Sequence, residues 1–471
     1  MIRKTLLLAA AISLILPTPG LTAQNRERRA RSETAQVERT NPLIQKIVRE
    51  ISAANIETLI RKLAGFHTRH TLSETESDTR GIGAARRWIK AELERYSRES
   101  GGRLKVEFDE FTQQPVARIP RPVQIVNVVA TLPGRQPESR DRIYVVSGHY
   151  DSRVTDPLDA TSAAPGANDD ASGTAAVMEM ARVMSKYEFD ATLVFMAVAA
   201  EEQGLNGSTH WAEMAKQKNL NIAGMITNDI IGSSRADDGR VDDSQVRLFA
   251  EGVPPAREVS NELRSFLQTG GENDSPARLL ARRIKEIGEK YVPGFKVNII
   301  YRRDRYLRGG DHSPFLDRGY AAVRMTEPNE DFRHQHQDIR KENGVQYGDL
   351  PEFVDFNYVA QVTRVNASAL AGLALAPAAP SNVEVETVRL ENDTTLRWEG
   401  NKEPDLAGYR IVWRETTSPV WQHARDAGNV TRYTVKGVSK DNYLFGVQAV
   451  DKDGNVSVAT YPRPYRPQRA Q

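Results

Sequence analysis

Acidic residues and histidines recur in three short segments of this chain. His149 and Asp151 lie in Gly148-His149-Tyr150-Asp151-Ser152. Asp169 and Asp170 lie in the loop from Ala164 to Gly173, and Glu201 and Glu202 in Ala200-Glu201-Glu202-Gln203-Gly204. Carboxylate oxygens with a few imidazoles suit a divalent cation such as zinc. Asp229 and His312, the latter behind Gly309-Gly310, come later in the chain. A hydrolytic two-metal centre takes about two ligands per metal plus a bridging carboxylate, with the metals about 3.5–4 Å apart. Two histidines, Asp229, Glu202 and a bridging Asp169 fill that set and leave Glu201 over. An unligated carboxylate beside a metal-bound water is what a general base requires. Asp151, two residues from His149, is placed to hold the second nitrogen of that imidazole.

These residues must be positioned by a sheet. Ile143 to Ser147, Thr192 to Ala199 and Ile222 to Thr227 are short apolar runs of the kind buried inside a parallel or mixed sheet. Helical segments from about Ser172 to Met184 and from Leu205 to Gln217 separate them, so strand and helix alternate in an α/β sandwich. His149, the Glu201-Glu202 pair and Asp229 each follow one of the three strands. An open α/β sheet binds its ligands beyond the carboxyl ends of its strands. Singly, each residue has an ordinary structural explanation: a hydrogen-bonded histidine, helix-capping acids complementing the dipole, a solvated helix start. Convergence on three strand ends outweighs those explanations.

Further elements flank this core. Asn41 caps a helix that starts at Pro42 and continues through Ile51, with a second apolar group from Ile56 to Leu63. Thr79 to Arg98 reads as an amphipathic helix, Leu104 to Phe111 and Val123 to Leu132 as strands, and Ser233 to Val246 as a polar loop. Pro276 to Tyr291 is helical, Ala321 to Met325 a closing strand, and Phe353 to Leu375 a long helix.

The three segments, with Asp229 and His312, resemble the secreted di-zinc aminopeptidases of the bacterial leucyl aminopeptidase and aminopeptidase Y type, over roughly Asn41 to Ala376. That resemblance implies a mixed, mostly parallel eight-stranded sheet between helices. It implies two zinc ions, one on His149 and Asp229 and the other on Glu202 and His312, bridged by Asp169. Glu201 would be the base, Asp151 would orient His149, and the Asp169–Asp170 peptide would be cis. The family's transition-state tyrosine has two candidates here, Tyr301 and Tyr306. His334 and His336, in the loop after the last strand, are candidates for substrate contact at the rim. Within the same fold, carboxypeptidases, dipeptidases and single-zinc glutaminyl cyclases are the alternatives. A noncatalytic peptide-binding protein is a further one, against which the intact Glu201 argues.

The 471 residues carry a formal net charge of +2, which predicts neither a nucleic-acid nor an acidic-membrane partner. Residues 1–23 read as a signal peptide: Arg3 and Lys4 precede an apolar run, Leu6 to Leu16, that is too short to span a bilayer. The mature chain is therefore expected to be secreted, to the periplasm or beyond the cell, with residues 24–40 as a disordered linker or short pro-segment. No cysteine is present, so stability rests on the core and on metal; no motif indicates calcium.

The catalytic unit is expected over 41–376, with a Pro/Ala hinge at 377–380 and an all-β sandwich over 381–466. Trp398, Asp405-Leu406-Ala407-Gly408-Tyr409 and the alternation from Tyr443 to Asp451 resemble a fibronectin type III domain. Such a domain binds a surface, a polymer or its own catalytic domain. Deleting residues 377–471 is accordingly expected to leave hydrolysis of small substrates largely intact.

Overall fold

The computed structural model of the protein describes residues 40–253 and 260–465. The signal peptide expected over 1–23 and nearly all of the 24–40 linker lie outside the described residues.

Helix α1 (Pro42–Glu50) begins where its capping signal places it, with the Asn41 side chain accepting from the Leu43 amide at 2.9 Å. Next come α2 (Ala53–Ala64), α3 (Gly81–Glu99) and the antiparallel hairpin β1 (Lys105–Gln113) and β2 (Val123–Leu132). The chain then alternates: β3 (Arg142–His149), α4 (Ala171–Met184), β4 (Thr192–Val198), α5 (Asn206–Gln217), β5 (Asn221–Asn228). It continues through β6 (Gln245–Ala250), α6 (Asn261–Gln268), α7 (Pro276–Tyr291), β7 (Lys296–Ile300), α8 (Ser313–Asp317) and β8 (Ala322–Thr326). The small hairpin β9 (Arg340–Glu342) and β10 (Val345–Tyr347) precedes the long α9 (Phe356–Leu375).

Eight strands form one mixed sheet in the order β1-β2-β4-β3-β5-β8-β6-β7. Its centre, β4-β3-β5-β8, is parallel, and antiparallel neighbours extend it on both sides. Every residue of β4 and β8 is buried, which is why β4 reads as an unbroken apolar run rather than an alternating one, while β8 buries Arg324 among its apolar residues. The step from β3 to β4 through α4 goes one way along the sheet. The step from β4 to β5 through α5 returns past β3. Right-handed crossovers then put α4 and α5 on opposite faces. The chain direction reverses around β3, and the crevice at the carboxyl ends of such strands is where an open α/β sheet holds ligands. Helix α4 packs against α2, α3 and α9, and α5 packs against α8.

Beyond α9, β11 (Ser381–Glu386), β12 (Thr394–Glu399), β13 (Leu406–Glu415), β14 (His423–Gly428), β15 (Arg432–Val435), β16 (Tyr443–Asp451) and β17 (Arg463–Tyr465) form two sheets, β15-β12-β11-β17 and β14-β13-β16. Their shared core holds Val383, Leu396, Trp398, Ile411, Trp413, Phe445 and Val447.

This sandwich is clamped to the α/β unit. Asp274 sits between Arg282 (2.7 Å) and Arg414 of β13 (2.6 Å), all three almost fully buried. The Pro419 carbonyl accepts from Arg282 Nε at 2.7 Å and from the Tyr301 hydroxyl at 3.0 Å. Arg283 donates to the Val456 carbonyl at 3.0 Å. The expected hinge is pinned as well: Arg142 of β3 donates to the Ala376 carbonyl, and the Ala378 amide to Glu403, each at 2.6 Å. Leu279, Val412 and Ala459 add an apolar seam.

Candidate metal centre

The sheet delivers its functional side chains from four strand ends. His149 is the last residue of β3, Glu201 and Glu202 follow β4, and Asp229 follows β5. The loop leaving β8 carries His336. Asp169 comes from the long loop ahead of α4. Asp170 caps α4, accepting from the Gly173 amide at 3.0 Å with one oxygen and from the His149 amide at 3.0 Å with the other. One carboxylate thus ties the end of β3 to the start of α4. Gly148 and Gly173 permit the contact: a Cβ on Gly148 would lie 2.4 Å from the Gly173 carbonyl carbon. Asp349 fixes the preceding turn, accepting from the Asn168 amide at 2.8 Å and the Asp169 amide at 2.7 Å. The Asp169–Asp170 peptide is cis.

Asp169 faces two groups at once. Its Oδ1 lies 3.1 Å from His149 Nε2, which is 4.0 Å from Asp229 Oδ1. Its Oδ2 lies 2.9 Å from His336 Nε2, which is 2.9 Å from Glu202 Oε1. His149, Asp169 and Asp229 form one group whose ligand atoms lie within 4.8 Å of one another, Asp169, Glu202 and His336 form a second, and His149, Glu201 and Glu202 a third. Imidazole nitrogen and carboxylate oxygen are donors that zinc accepts, and one carboxylate with an oxygen toward each group is a bridge. The residues present fit a pair of such ions.

The backbone bends sharply around these ligands. Ala200 (φ 59°), Ile230 (φ 60°) and His336 (φ 55°) are left-handed without being glycine. Each such residue costs on the order of 1–3 kcal/mol, and they gather where geometry is over-determined by function. Here they stand beside Glu201 and Asp229 and at His336 itself.

Asp151 does more than hold His149. Its carboxylate accepts from the Glu202 amide at 3.1 Å and the Glu201 amide at 3.3 Å, so it sets the turn that presents both glutamates. Toward His149 Nδ1 the nearer atom is the Asp151 carbonyl at 3.2 Å, with the carboxylate at 3.6 Å. Among the described residues, none donates a hydrogen bond to the Glu201 carboxylate. Burial pushes that carboxylate well up; the His149 charge opposes this and Asp229, Glu202 and Asp311 reinforce it. Burial also pushes Asp169 up, but hydrogen bonds from His149 and His336, together with the charge of His149, outweigh it and hold Asp169 well down. The two acids are therefore set apart, Asp169 as an anion and Glu201 as a group ready to hold a proton.

Burial pulls His336 down, while Glu202 and Asp169 lift it to about 9. Its Nδ1, however, is 2.6 Å from Arg153 Nη2. A guanidinium only donates, so a charged ring would set N–H against N–H there. The contact therefore decides for a neutral ring.

His312 is not in this cluster. It is wholly buried beside α8, with Nε2 donating to the Arg303 carbonyl at 2.8 Å, and burial lowers it to about 4. The place the sequence reading assigns to His312 is taken by His336, which that reading leaves at the rim. The signal was available. The rule that selects His149, Glu202 and Asp229 is the carboxyl end of a parallel strand, and the loop leaving β8 satisfies it. His312 precedes β8 and so does not.

The other substrate-binding candidates separate. Tyr301 turns to the C-terminal sandwich through Pro419, with Arg278 over its ring. Tyr306 is 80% exposed, with Arg302 stacked on it. His334 stacks on Phe353 with ring centroids 3.7 Å apart, lining a cavity of about 720 Å³ that includes none of the cluster residues. Gln335, which the sequence reading passes over, donates to Asp169 Oδ2 at 2.9 Å.

The chain is similar to known proteins. Residues 127–348 match the model of Peptidase family M28. A probable zinc metalloprotease of Leptosphaeria maculans is 52% identical over 89% of this chain and 97% of its own length. One from Pyricularia oryzae is 49% identical over 89% of this chain and 84% of its own length. Among solved structures, the LapA aminopeptidase of Legionella pneumophila superposes with a TM-score of 0.50 at 17% identity, covering 79% of this chain and 80% of that one. Half-identity across nearly the whole length, together with the family match over the very strands that carry the cluster, means that the chain belongs to Peptidase family M28 and is a zinc metalloprotease.

Proposed function

We propose that the protein is an exported exopeptidase that releases N-terminal amino acids from peptides at a two-zinc centre. The observation that carries this is the division of Asp169, one oxygen toward His149 and Asp229 and the other toward Glu202 and His336; Glu201, which groups with His149 and Glu202, is read as the base. Zinc bound there supplies Lewis acidity and lowers the pKa of water toward neutrality. Glu201 takes the proton of the attacking water and returns it to the leaving amine. Its raised pKa suits both halves of that exchange. Asp151 holds the Glu201 and Glu202 amides, so base and ligand keep one spacing. Export is supported by residues 1–23, and no helix among the described residues is long and apolar enough to cross a membrane. The C-terminal sandwich, which we read as fibronectin type III-like, has its own catalytic unit as its partner.

The family and the set of five candidate ligands support a hydrolase over a cyclase, and the intact Glu201 supports an enzyme over a noncatalytic binding protein. The choice of the N-terminus is supported by the motif resemblance. A panel of matched peptides, free, N-acetylated and C-amidated, tests it. The account expects kcat/KM to fall at least about 100-fold on N-acetylation, because losing a group that the site binds as a charge leaves buried partners unpaired. C-amidation should change little. Equal cleavage of the N-acetylated peptide would overturn the aminopeptidase reading.

A further inference from the structure

Arg153, a largely enclosed cation, stands against the cluster and has no part in the mechanism above. Arg153 lies two residues past Asp151, and its side chain is 14% exposed. Its Nε donates to Glu202 Oε2 at 2.9 Å, and its Nη2 is 2.6 Å from His336 Nδ1. Its Nη1 donates to the carbonyls of Val154 and Thr155, each at 3.3 Å. The guanidinium is thus held on three sides, against two of the three side chains of the Glu202 group.

Two consequences follow from donor and acceptor chemistry. Glu202 Oε2 is taken, so Glu202 has only Oε1 for a cation. His336 Nδ1 faces a group with five N–H donors and no acceptor, so Nδ1 must accept and Nε2 must carry the ring proton. That proton points at Asp169 Oδ2 and Glu202 Oε1, each 2.9 Å away. A metal-binding histidine has the opposite arrangement: the ligating nitrogen is bare and the other one donates to a carbonyl or carboxylate. To ligate through Nε2, His336 must exchange tautomers, and Arg153 must then turn away from Nδ1.

The His149 group has no such conflict. His149 Nδ1 has the Asp151 carbonyl at 3.2 Å as its acceptor, leaving Nε2 for a cation. An arginine is present there too, Arg324, 2.8 Å from Asp229 Oδ1. Asp304 shares its charge at 3.2 Å, and it touches no imidazole of the cluster.

Resting on the two-site reading above, we propose that Arg153 makes the two sites unequal: it competes with the cation for Glu202 and His336, so the His149 site fills tightly and the His336 site fills weakly. Arg153 is a positioning residue that sets metal occupancy. At low zinc the protein carries one ion, and the second arrives only as Arg153 is displaced.

The test is a zinc titration of the full chain, stripped with a chelator and followed by competition with a chromophoric chelator. The parent should fill in two separated steps. Arg153→Met, which keeps the apolar stem without the charge, should tighten the second step by about tenfold or more, the scale of a ligand-supporting contact. The first step should stay within about twofold of the parent. Arg153→Lys keeps a charge without the fork that spans Glu202 and His336. It should shift the second step in the same direction by less, and it carries the test if Arg153→Met does not fold. Two equally tight steps in the parent would overturn the proposal. So would a second step left unchanged or weakened in both variants. A parent that takes up one zinc at every concentration would instead overturn the two-site reading itself.

Discussion

Replacing Glu201 by glutamine lowers kcat by roughly 10²- to 10⁴-fold, the usual contribution of a positioned general base, and leaves zinc binding as in the parent. Glutamine keeps the shape of the side chain and loses its basicity. The turn that carries it is fixed from outside, by Asp151 on the Glu201 and Glu202 amides, so the substitution does not disturb Glu202. Steady-state kinetics with a free-amine peptide and metal analysis of the same preparation check both halves. Turnover within tenfold of the parent would remove Glu201 from the mechanism. Loss of a zinc would make it a ligand instead of a base.

Deleting residues 377–471 destabilises the protein, contrary to what the sequence alone suggests. The cut removes Arg414 from Asp274, Pro419 from Arg282 and Tyr301, Val456 from Arg283 and Glu403 from Arg142. It also strips the seam at Leu279. Breaking a buried charge pair typically costs about 3–5 kcal/mol, and at about 2–4 °C per kcal/mol for a large domain the melting temperature falls by roughly 10 °C. Turnover falls with it, because Tyr301 begins the arginine-rich segment that runs to Arg308. That segment's Arg305 and Arg308 hold Glu330 at 3.1 and 2.7 Å, in the same loop as Gln335 and His336. Thermal melting and kcat/KM of the truncated chain decide it. A soluble fragment that melts and turns over like the parent would restore the independent-appendage reading.

The central sheet was legible because its strands are buried on both faces and so read as apolar runs. β3, β4 and β5 stand where those runs place them, and β8, which carries Arg324, stands where the closing strand is expected. β6 and β7 are not in the sequence reading. Residues 245–250 and 296–300 mix charged and apolar side chains, as strands toward a sheet edge do, and β7 is only partly buried. His149, Glu202 and Asp229 were legible for the same reason as the strands, since each stands at the end of one, and Asp169 was legible from its acidic pair in a glycine-flanked loop ahead of a helix. His336 sits ten residues past the end of β8, where local pattern no longer reports position, and His312 beside its two glycines looked the better ligand. The inter-domain clamp could not be read at all. Asp274 and Arg414 are 140 residues apart, and nothing local distinguishes them from surface charges. Arg153 is similar: its neighbours on the chain are polar, and only the fold brings it against His336.

The measurement that bears most directly on the centre is the zinc stoichiometry at saturation of His336→Ala beside His312→Ala. Two ions are expected in the parent and in His312→Ala, and one, the tightly held ion, in His336→Ala. Two ions retained by His336→Ala, with one lost from His312→Ala, would contradict it.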